Sequence, residues 1–256
     1  MNKLLFTALI MIISSITVFA AEKQNPCKGK DIEWLKKHIP VPRSVIASKK
    51  NVNGMCEIIL NAKNKMLSIY ATNEFIVTGK MYKDKVRVTD ATLNILKKDI
   101  TKNNIGGLKN ATAFTYTPEN PSGKVLYMLT DPLCPYCSKA AKEIKDVADE
   151  TGVTIKTVLY TVHDEDGEKK CKKAICNNMS FEEYINTDWN TEKTDDISCD
   201  KADKLLEKAE EIASKLGVPS VPAFIFEDGQ RVAGTNIDKI AAILKQDSSL
   251  AASNHQ

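Results

Sequence analysis

The alternation of apolar and polar positions predicts a small, mainly antiparallel β domain over residues 21–88. Ile32, Leu35 and Ile39 recur at helical spacing, so one short helix opens this region. Short apolar runs then alternate with turn residues, which is the pattern of strands joined by tight turns. The runs cover residues 56–60, 66–70, 74–79 and 85–88.

Helical spacing follows this region and predicts a linker helix. Leu93, Leu96 and Ile100 recur at three- and four-residue steps. Asp90 has a side chain suited to a helix N-cap, and a Gly-Gly pair further along is expected to end the helix. We therefore expect residues 89–110 to connect two domains.

The remaining residues, 111–256, alternate between strand-like and helix-like patterns. A buried strand at 125–129 leads through a tight turn into a helix, and a second strand follows at 153–160. A long helical stretch, a hairpin and a closing helix complete the order. This order is typical of a thioredoxin-like domain with a helical insertion between residues 165 and 215. The predicted fold class therefore combines α+β and α/β architecture.

The first twenty residues have the pattern of a secretory signal peptide. Lys3 supplies the positive start, residues 4–19 supply an apolar core, and a small-x-small cleavage site ends at Ala20. An uncleaved membrane anchor is the alternative. The apolar run is short for a membrane span, and no basic segment follows it at once. We therefore expect cleavage and export to the periplasm.

Composition argues against nucleic acid as a partner. The net charge is +3, and removal of Lys3 with the signal peptide leaves 35 basic against 33 acidic residues. The lysines are interleaved with Asp and Glu, as on a solvated surface. His38, His163 and His255 lack the spacing of metal ligands. We expect no metal and no organic cofactor.

A Cys-Pro-Tyr-Cys motif at residues 134–137 carries the strongest chemical signal. It lies where a buried strand meets a helix, and a helix N-terminus offers free N–H groups and partial positive charge. Both stabilise a thiolate of Cys134. Pro135 suits the first helical turn, where its missing N–H costs nothing. We expect Cys134 to attack disulfides and Cys137, one turn further on, to resolve the mixed disulfide.

Half of a structural zinc site is the alternative for this motif. It would need two more ligands, and Cys171 and Cys176 are the candidates. The four-residue gap between them and the oxidising compartment both count against zinc. The strand before the motif and the helix after it favour redox chemistry.

Val221 and Pro222 form the second candidate element. Pro222 directly precedes the apolar strand at 223–226. In thioredoxin-like folds a cis-proline at this place lies against the Cys-x-x-Cys pair, and the backbone of the preceding residue is free to bind a peptide. We expect Pro222 to be cis, although only about 5–6% of X–Pro bonds are. The alternative is a loop proline that starts a strand.

These motifs resemble those of the DsbC/DsbG family of periplasmic disulfide isomerases. A weaker similarity links residues 68–84 to the N-terminal dimerisation domain of that family. The resemblance spans most of the mature chain. Its strongest parts are the run 130–137, Val221-Pro222-Ala223, Ile175-Cys176 and Ser198-Cys199-Asp200.

The resemblance implies a V-shaped homodimer built from cystatin-like N-terminal dimerisation domains, with linker helices and a cleft that holds misfolded exported clients. It implies reduction by a membrane-bound electron donor of the DsbD kind. It also implies that Cys176 and Cys199 form a structural disulfide. We assign Tyr136, Val221 and Pro222 to substrate binding.

Departures from the family pattern leave the direction of exchange open. Pro135 stands where the isomerases usually have Gly, and Val221 replaces their usual Thr; both choices resemble DsbA. Such residues tune the thiolate and the redox potential. The leading hypothesis is an enzyme that isomerises or reduces wrong disulfides. A DsbA-like dithiol oxidase and a non-catalytic periplasmic chaperone are the alternatives.

Cys27, Cys56 and Cys171 are additional to the family pattern. Because the chain has seven cysteines, at least one is free or pairs with another molecule. We expect a Cys27–Cys56 disulfide that stabilises the first domain, with two buried free thiols as the alternative. Cys171 is then left over, although its pairing with Cys176 or Cys199 stays open.

Overall fold

The computed structural model describes residues 25–62, 65–163, 165–194 and 197–253. The expected signal peptide lies outside the described residues. Within them, no helix combines the length and the apolar character needed to cross a membrane.

The N-terminal region is an antiparallel four-stranded sheet with one helix against it. The strands are joined in sequence, so their spatial order is β1-β2-β3-β4. The first turn is tight because Asn53 and Gly54 both adopt positive φ, as Asn-Gly hairpins do. The elements are α1 (Ile32–His38), β1 (Val45–Val52), β2 (Met55–Ala62), β3 (Lys65–Ala71) and β4 (Ile76–Thr78).

The helix covers one face of this sheet and closes a small core. Leu35 of α1 packs with Ile58, Leu60 and Ile69, and all four side chains are buried. The Cys27–Cys56 disulfide lies in the same cluster and ties the segment before α1 to β2. The disulfide therefore closes a loop around the whole helix.

A two-stranded hairpin leads from the sheet into the linker. Its strands are β5 (Tyr82–Lys83) and β6 (Val86–Arg87), and α2 (Val88–Lys102) follows directly. The expected cap at Asp90 is wrong, because Arg87 holds the N-cap position. Asp90 lies in the first turn and pairs with the Arg87 side chain instead.

The linker is two helices rather than one. α2 ends at Lys102, and α3 (Ile105–Asn110) begins after a short turn. The two glycines expected to end the helix lie inside α3. Gly107 lies close to α7, since a Cβ there would lie 2.6 Å from Cδ1 of Ile212 unless that side chain moved. The Gly-Gly pair thus marks a close helix–helix contact and not a helix end.

Buried polar groups attach the start of α2 to the N-terminal sheet. The Tyr70 hydroxyl donates to the Glu57 carboxylate at 3.0 Å and lies 2.5 Å from the Thr89 hydroxyl. Burial, with Glu57 beside it, raises the pKa of Tyr70. Lys50 donates to Thr92 at 2.8 Å and lies 3.3 Å from the Glu57 carboxylate. Every charged group in this contact therefore has a polar partner.

The C-terminal region is a five-stranded mixed sheet in the order β11-β10-β8-β9-β7. β8 and β9 run parallel and the other pairs are antiparallel. The elements are β7 (Phe114–Tyr116), β8 (Val125–Thr130), α4 (Pro135–Thr151), β9 (Thr154–Leu159), α5 (Glu165–Cys176), α6 (Phe181–Asn186), α7 (Asp200–Leu216), β10 (Ala223–Phe226), β11 (Arg231–Ala233) and α8 (Ile237–Ser253).

Helices cover both faces of this sheet. One core cluster joins the sheet to α4, α5, α6 and α8, and a second joins it to α3 and α7. The inserted helices α5, α6 and α7 stand between β9 and β10 in sequence. This arrangement confirms the expected mixed α/β fold with a helical insertion.

Removing the first disulfide is predicted to destabilise the protein. In the double variant Cys27→Ala/Cys56→Ala the unfolded chain loses a cross-link that spans 29 residues. By the loop-entropy relation the free energy of unfolding should fall by about 3–4 kcal/mol. Urea unfolding followed by circular dichroism measures this. With dithiothreitol present, the difference from the wild type should largely vanish; a persistent difference would assign the effect to packing.

Candidate active site

The redox motif lies at the junction between β8 and α4. Cys134 is the N-cap of α4 and Pro135 occupies the first helical position. The carbonyl of Cys134 accepts from the N–H groups of Cys137 at 2.9 Å and Ser138 at 3.1 Å. The Cys134 sulfur is therefore held at the positive end of a 17-residue helix.

The two sulfurs of the motif differ in exposure. Cys134 is 6% exposed and Cys137 is 1% exposed, whereas Tyr136 between them is 67% exposed. Burial raises the pKa of Cys137, and the N–H of Asp131 and the Thr130 hydroxyl oppose that shift only in part. Cys134 is thus the more accessible sulfur, and Cys137 is the one kept protonated.

The loop before β10 brings Val221 and Pro222 against the first cysteine. The peptide bond between them is cis. The carbonyl oxygen of Val221 lies 3.9 Å from the sulfur of Cys134, a residue 87 positions away in sequence. The carbonyl of Pro222 accepts from the N–H of Gly234, which fixes this loop to the end of β11. Two segments that are distant in the chain therefore share one site.

A buried carboxylate that the sequence analysis did not single out organises the other side of the site. Asp131 is 1% exposed. Its oxygens accept from the N–H of Leu133 at 2.8 Å, the N–H of Val162 at 2.7 Å, the Thr161 hydroxyl at 3.0 Å and Nδ1 of His163 at 2.8 Å. One side chain thus ties the loop after β8 to the loop after β9. The sequence offers one indication of this role for Asp131, because the residue directly follows a buried strand and stands just before the Cys-Pro-Tyr-Cys motif.

The second disulfide lies in the helical insertion. It joins Cys176 at the end of α5 to Cys199 at the start of α7. Cys171 is a free, fully buried thiol, and burial raises its pKa well above the usual value. Cys176 is therefore not available to complete a zinc site with the motif. Across the described ranges, no three acidic, His or Cys side chains converge as metal ligands.

Comparison with known proteins agrees with this geometry. The thioredoxin-like domain family matches residues 112–246, which is more than half of the chain. The chain belongs to the thioredoxin-like family. With the Cys134–Cys137 dithiol at the start of α4, this thioredoxin-like protein is a thiol–disulfide oxidoreductase.

Two solved structures share the fold of this thioredoxin-like protein at low sequence identity, and a third match has a TM-score too low to indicate a shared fold. A linker-deletion mutant of ScsC from Proteus mirabilis is 17% identical, covers 63% of this chain and 87% of its own, and has a TM-score of 0.52. The thiol-disulfide exchange protein alpha-DsbA2 from Wolbachia pipientis is 14% identical, with coverages of 60% and 97% and a TM-score of 0.51. DsbG from Helicobacter pylori is 17% identical, with coverages of 76% and 97% and a TM-score of 0.41. No curated protein matches the chain in sequence.

Alkylation of the reduced protein should distinguish the three free thiols. At neutral pH iodoacetamide is expected to label Cys134 first, because Cys137 and Cys171 are more deeply buried and their pKa values are raised. Peptide mass spectrometry after short exposures measures the order. In Cys134→Ser the fast phase should disappear, while equal labelling of all three sulfurs would contradict the assignment.

Proposed function

We propose that the protein repairs wrong disulfides in client proteins exported to the periplasm. The observation that carries this proposal is the pairing of a sulfur at a helix N-terminus with a more deeply buried sulfur one turn away. Export is supported by the signal-like first twenty residues and by two disulfides outside the motif, since such bonds persist in oxidising compartments.

In the first step the thiolate of Cys134 attacks one sulfur of a client disulfide. The client S–S bond breaks, a bond forms between Cys134 and the client, and the other client sulfur leaves as a thiolate. The helix N-terminus stabilises the charge on Cys134 before attack. No cofactor is needed, because the electron pair comes from the enzyme sulfur.

The mixed disulfide then has two fates. If another client thiolate attacks the client sulfur bound to Cys134, a new client disulfide forms and Cys134 leaves reduced, which is isomerisation. If Cys137 attacks Cys134, the client leaves as a dithiol and the enzyme becomes oxidised, which is reduction. The second route consumes two electrons per client bond, so it requires a donor that restores the dithiol; a DsbD-like membrane protein fits that role.

The client segment is held by main-chain contacts beside the cis-proline. Val221 is half-buried and its carbonyl faces Cys134, so an extended peptide can pair there without a sequence requirement. Tyr136 supplies an exposed aromatic surface between the cysteines. Together these contacts favour clients of many sequences.

A dithiol oxidase is the second candidate, and Pro135 at the first helical position favours it. Oxidation uses the same sulfurs in the opposite direction, so the site geometry serves both. Equilibration of the Cys134–Cys137 pair with glutathione measures its reduction potential, which distinguishes a dithiol oxidase from an isomerase. An oxidase would have a markedly less negative reduction potential than an isomerase that works as a dithiol.

Reactivation of scrambled ribonuclease tests the proposed function. Reduced wild-type protein should accelerate reactivation, and Cys134→Ser should lower the rate to the uncatalysed value because no attacking sulfur remains. Cys137→Ser should keep part of the isomerase activity and accumulate a mixed disulfide visible on a non-reducing gel. Full activity of Cys134→Ser would instead support a non-catalytic chaperone.

We further propose that two copies associate through the N-terminal sheet. β4 is an edge strand of this sheet, and the segment around it presents large apolar side chains to solvent. An apolar edge strand is a ready site for pairing with another chain. A second copy of the chain presents the same surface, which suits a two-fold symmetric contact. The exposed side chains are Phe75, Val77, Tyr82 and Val86.

A charge on this edge should separate the copies. Val77→Lys places an ammonium in the centre of the proposed contact and is expected to halve the mass measured by light scattering. Val45→Lys is the matched control, because Val45 is an exposed apolar residue at the opposite edge of the same sheet. A wild-type protein that is monomeric at micromolar concentration, or equal effects of both variants, would contradict this contact.

A further inference from the structure

We infer that a groove between the linker helix α2 and the edge strand β11 binds an extended client segment that carries apolar and acidic side chains, and that this segment adds a strand to the C-terminal sheet. The inference deepens the proposed function, on which it rests, by naming the class of client segment that is held near the redox site. The structure juxtaposes an apolar groove, an open strand edge and cations without acidic partners.

The groove lies along the edge of the C-terminal sheet and has a volume of about 540 Å³. It is lined by α2, by β10 and β11, by α8, and by residues 217–220 of the loop before β10. Most of this lining is apolar. Ile95 of α2, one of the lining residues, is 62% exposed although it is a large aliphatic side chain. A concave apolar surface with a few polar groups is the usual character of a binding site.

The groove is continuous with the place where disulfides are exchanged. Residues 217–220 line it and lead directly into Val221, whose carbonyl oxygen lies 3.9 Å from the Cys134 sulfur. Gly234, directly after β11, donates to the carbonyl of Pro222, so the strand edge is hydrogen-bonded to the cis-proline. A client whose cysteine is bonded to Cys134 can therefore place a neighbouring segment in the groove.

β11 offers the backbone groups that a peptide strand needs. It is an edge strand, because β10 is its one partner among the described strands. In an antiparallel pair, alternate residues direct their N–H and C=O groups to the partner strand. The carbonyl of Gln230 accepts from β10, and the N–H of Gly234 donates to the residue before β10. The main-chain groups of Arg231 and Ala233 therefore point away from β10, and both residues line the groove. Such an open edge is a template for an added strand.

The charges of the groove favour acidic segments. Among the described residues, no Asp or Glu lines it, whereas Lys97, Lys239 and Arg231 do. Within the part of the chain that the structure describes, none of these three cations is in an ion pair. A fourth lining cation, Lys98, already pairs with Asp228. An acidic client side chain thus meets unpaired cations, and a basic one meets like charge.

Arg231 is held in place and keeps donors to spare. Its guanidinium donates to the Thr101 hydroxyl and to the carbonyls of Leu216 and Lys97, all of which are neutral acceptors. Burial lowers the pKa of Arg231 to about 10, so the group stays charged at neutral pH although its surroundings disfavour the charge. A guanidinium has five N–H donors, so these three bonds leave others for a client carboxylate.

Peptides without cysteine test the groove independently of thiol exchange. The probe is a short peptide of alternating valine and glutamate, and isothermal titration calorimetry with the intact protein measures its dissociation constant. A peptide of alternating valine and lysine should bind about tenfold more weakly, because it brings positive charge to the lysines. A peptide of alternating serine and glutamate should also bind about tenfold more weakly, because it buries little apolar surface.

Methylation of the peptide nitrogens tests strand addition. Alternate residues of a strand direct their N–H groups to the same side. A valine–glutamate peptide methylated on its valine nitrogens and one methylated on its glutamate nitrogens should therefore differ. One of them should lose binding, since its donors to β11 are blocked, and the other should keep it. Equal affinities of the two methylated peptides would contradict an added strand.

Two variants on different walls of the groove locate the binding. Ile95→Ser and Lys239→Glu should each weaken binding of the valine–glutamate peptide about fivefold, through lost apolar contact and reversed charge. Lys239→Glu should also strengthen binding of the valine–lysine peptide. The matched controls are Val45→Ser and Lys49→Glu, both at exposed positions of β1 in the N-terminal sheet, and they should change neither affinity. All four replaced side chains are exposed, and thermal unfolding verifies that each variant is folded.

The outcomes separate this inference from the proposed function. Peptide binding that neither groove variant changes overturns the inference, and so does binding of dodecanoate with no binding of the peptide, which would assign the groove to a small amphiphile. A protein that reactivates scrambled ribonuclease but binds none of the peptides rejects the groove and leaves the proposed function intact. Peptide binding in the expected order by a protein without reactivation activity rejects the proposed function and leaves the groove assigned.

Discussion

The chemistry of the site depends on the position of one sulfur at the start of α4. A helix N-terminus has backbone N–H groups without intrahelical partners, and Cys134 occupies the N-cap position at that end of α4. Pro135 reinforces the geometry because its fixed φ suits the first helical position. The carboxyl ends of β8 and β9 lie side by side, so the loops that surround this helix start are brought together by the parallel pairing itself.

A second constraint is the burial of Cys137 behind the first sulfur. If both sulfurs were equally exposed, either could attack a client, and the mixed disulfide would have no defined resolving partner. The asymmetry favours Cys134 as the proposed attacking sulfur, but it also makes a thiolate of Cys137 costly to form. The hydroxyl of Thr130 and the N–H of Asp131 reduce that cost. The burial that distinguishes the two sulfurs therefore also raises the pKa of Cys137.

The sequence predicts those parts of the molecule that are local in the chain. A buried apolar run, a Pro at the second motif position and an amphipathic helix after it locate Cys134 without any distant contact. The contacts of Asp131 could not be predicted in this way, because its partners lie on the loop after β9. The neighbour of the Thr130 hydroxyl, Tyr184, lies on α6 and is equally distant in sequence. Gly107 likewise lies against Ile212, a residue distant in sequence. The strand β1 escapes prediction because polar residues at 49–51 interrupt its apolar pattern, while its pairing with β2 keeps it extended.

The linker helix α2 is hydrogen-bonded to the β10–β11 hairpin that follows the cis-proline. This attachment joins the linker to the C-terminal sheet. The Arg231 guanidinium of β11 donates to the Thr101 hydroxyl and to the carbonyl of Lys97, both on α2. β11 in turn pairs with β10, and Gly234 after it donates to the carbonyl of Pro222. The other end of α2 is attached to the N-terminal sheet by buried polar contacts, so one helix joins that sheet to the segment that carries the cis-proline. The two regions are therefore joined by hydrogen bonds from both ends of α2 as well as by the covalent chain, so the cis-proline segment and the N-terminal sheet share one structural support.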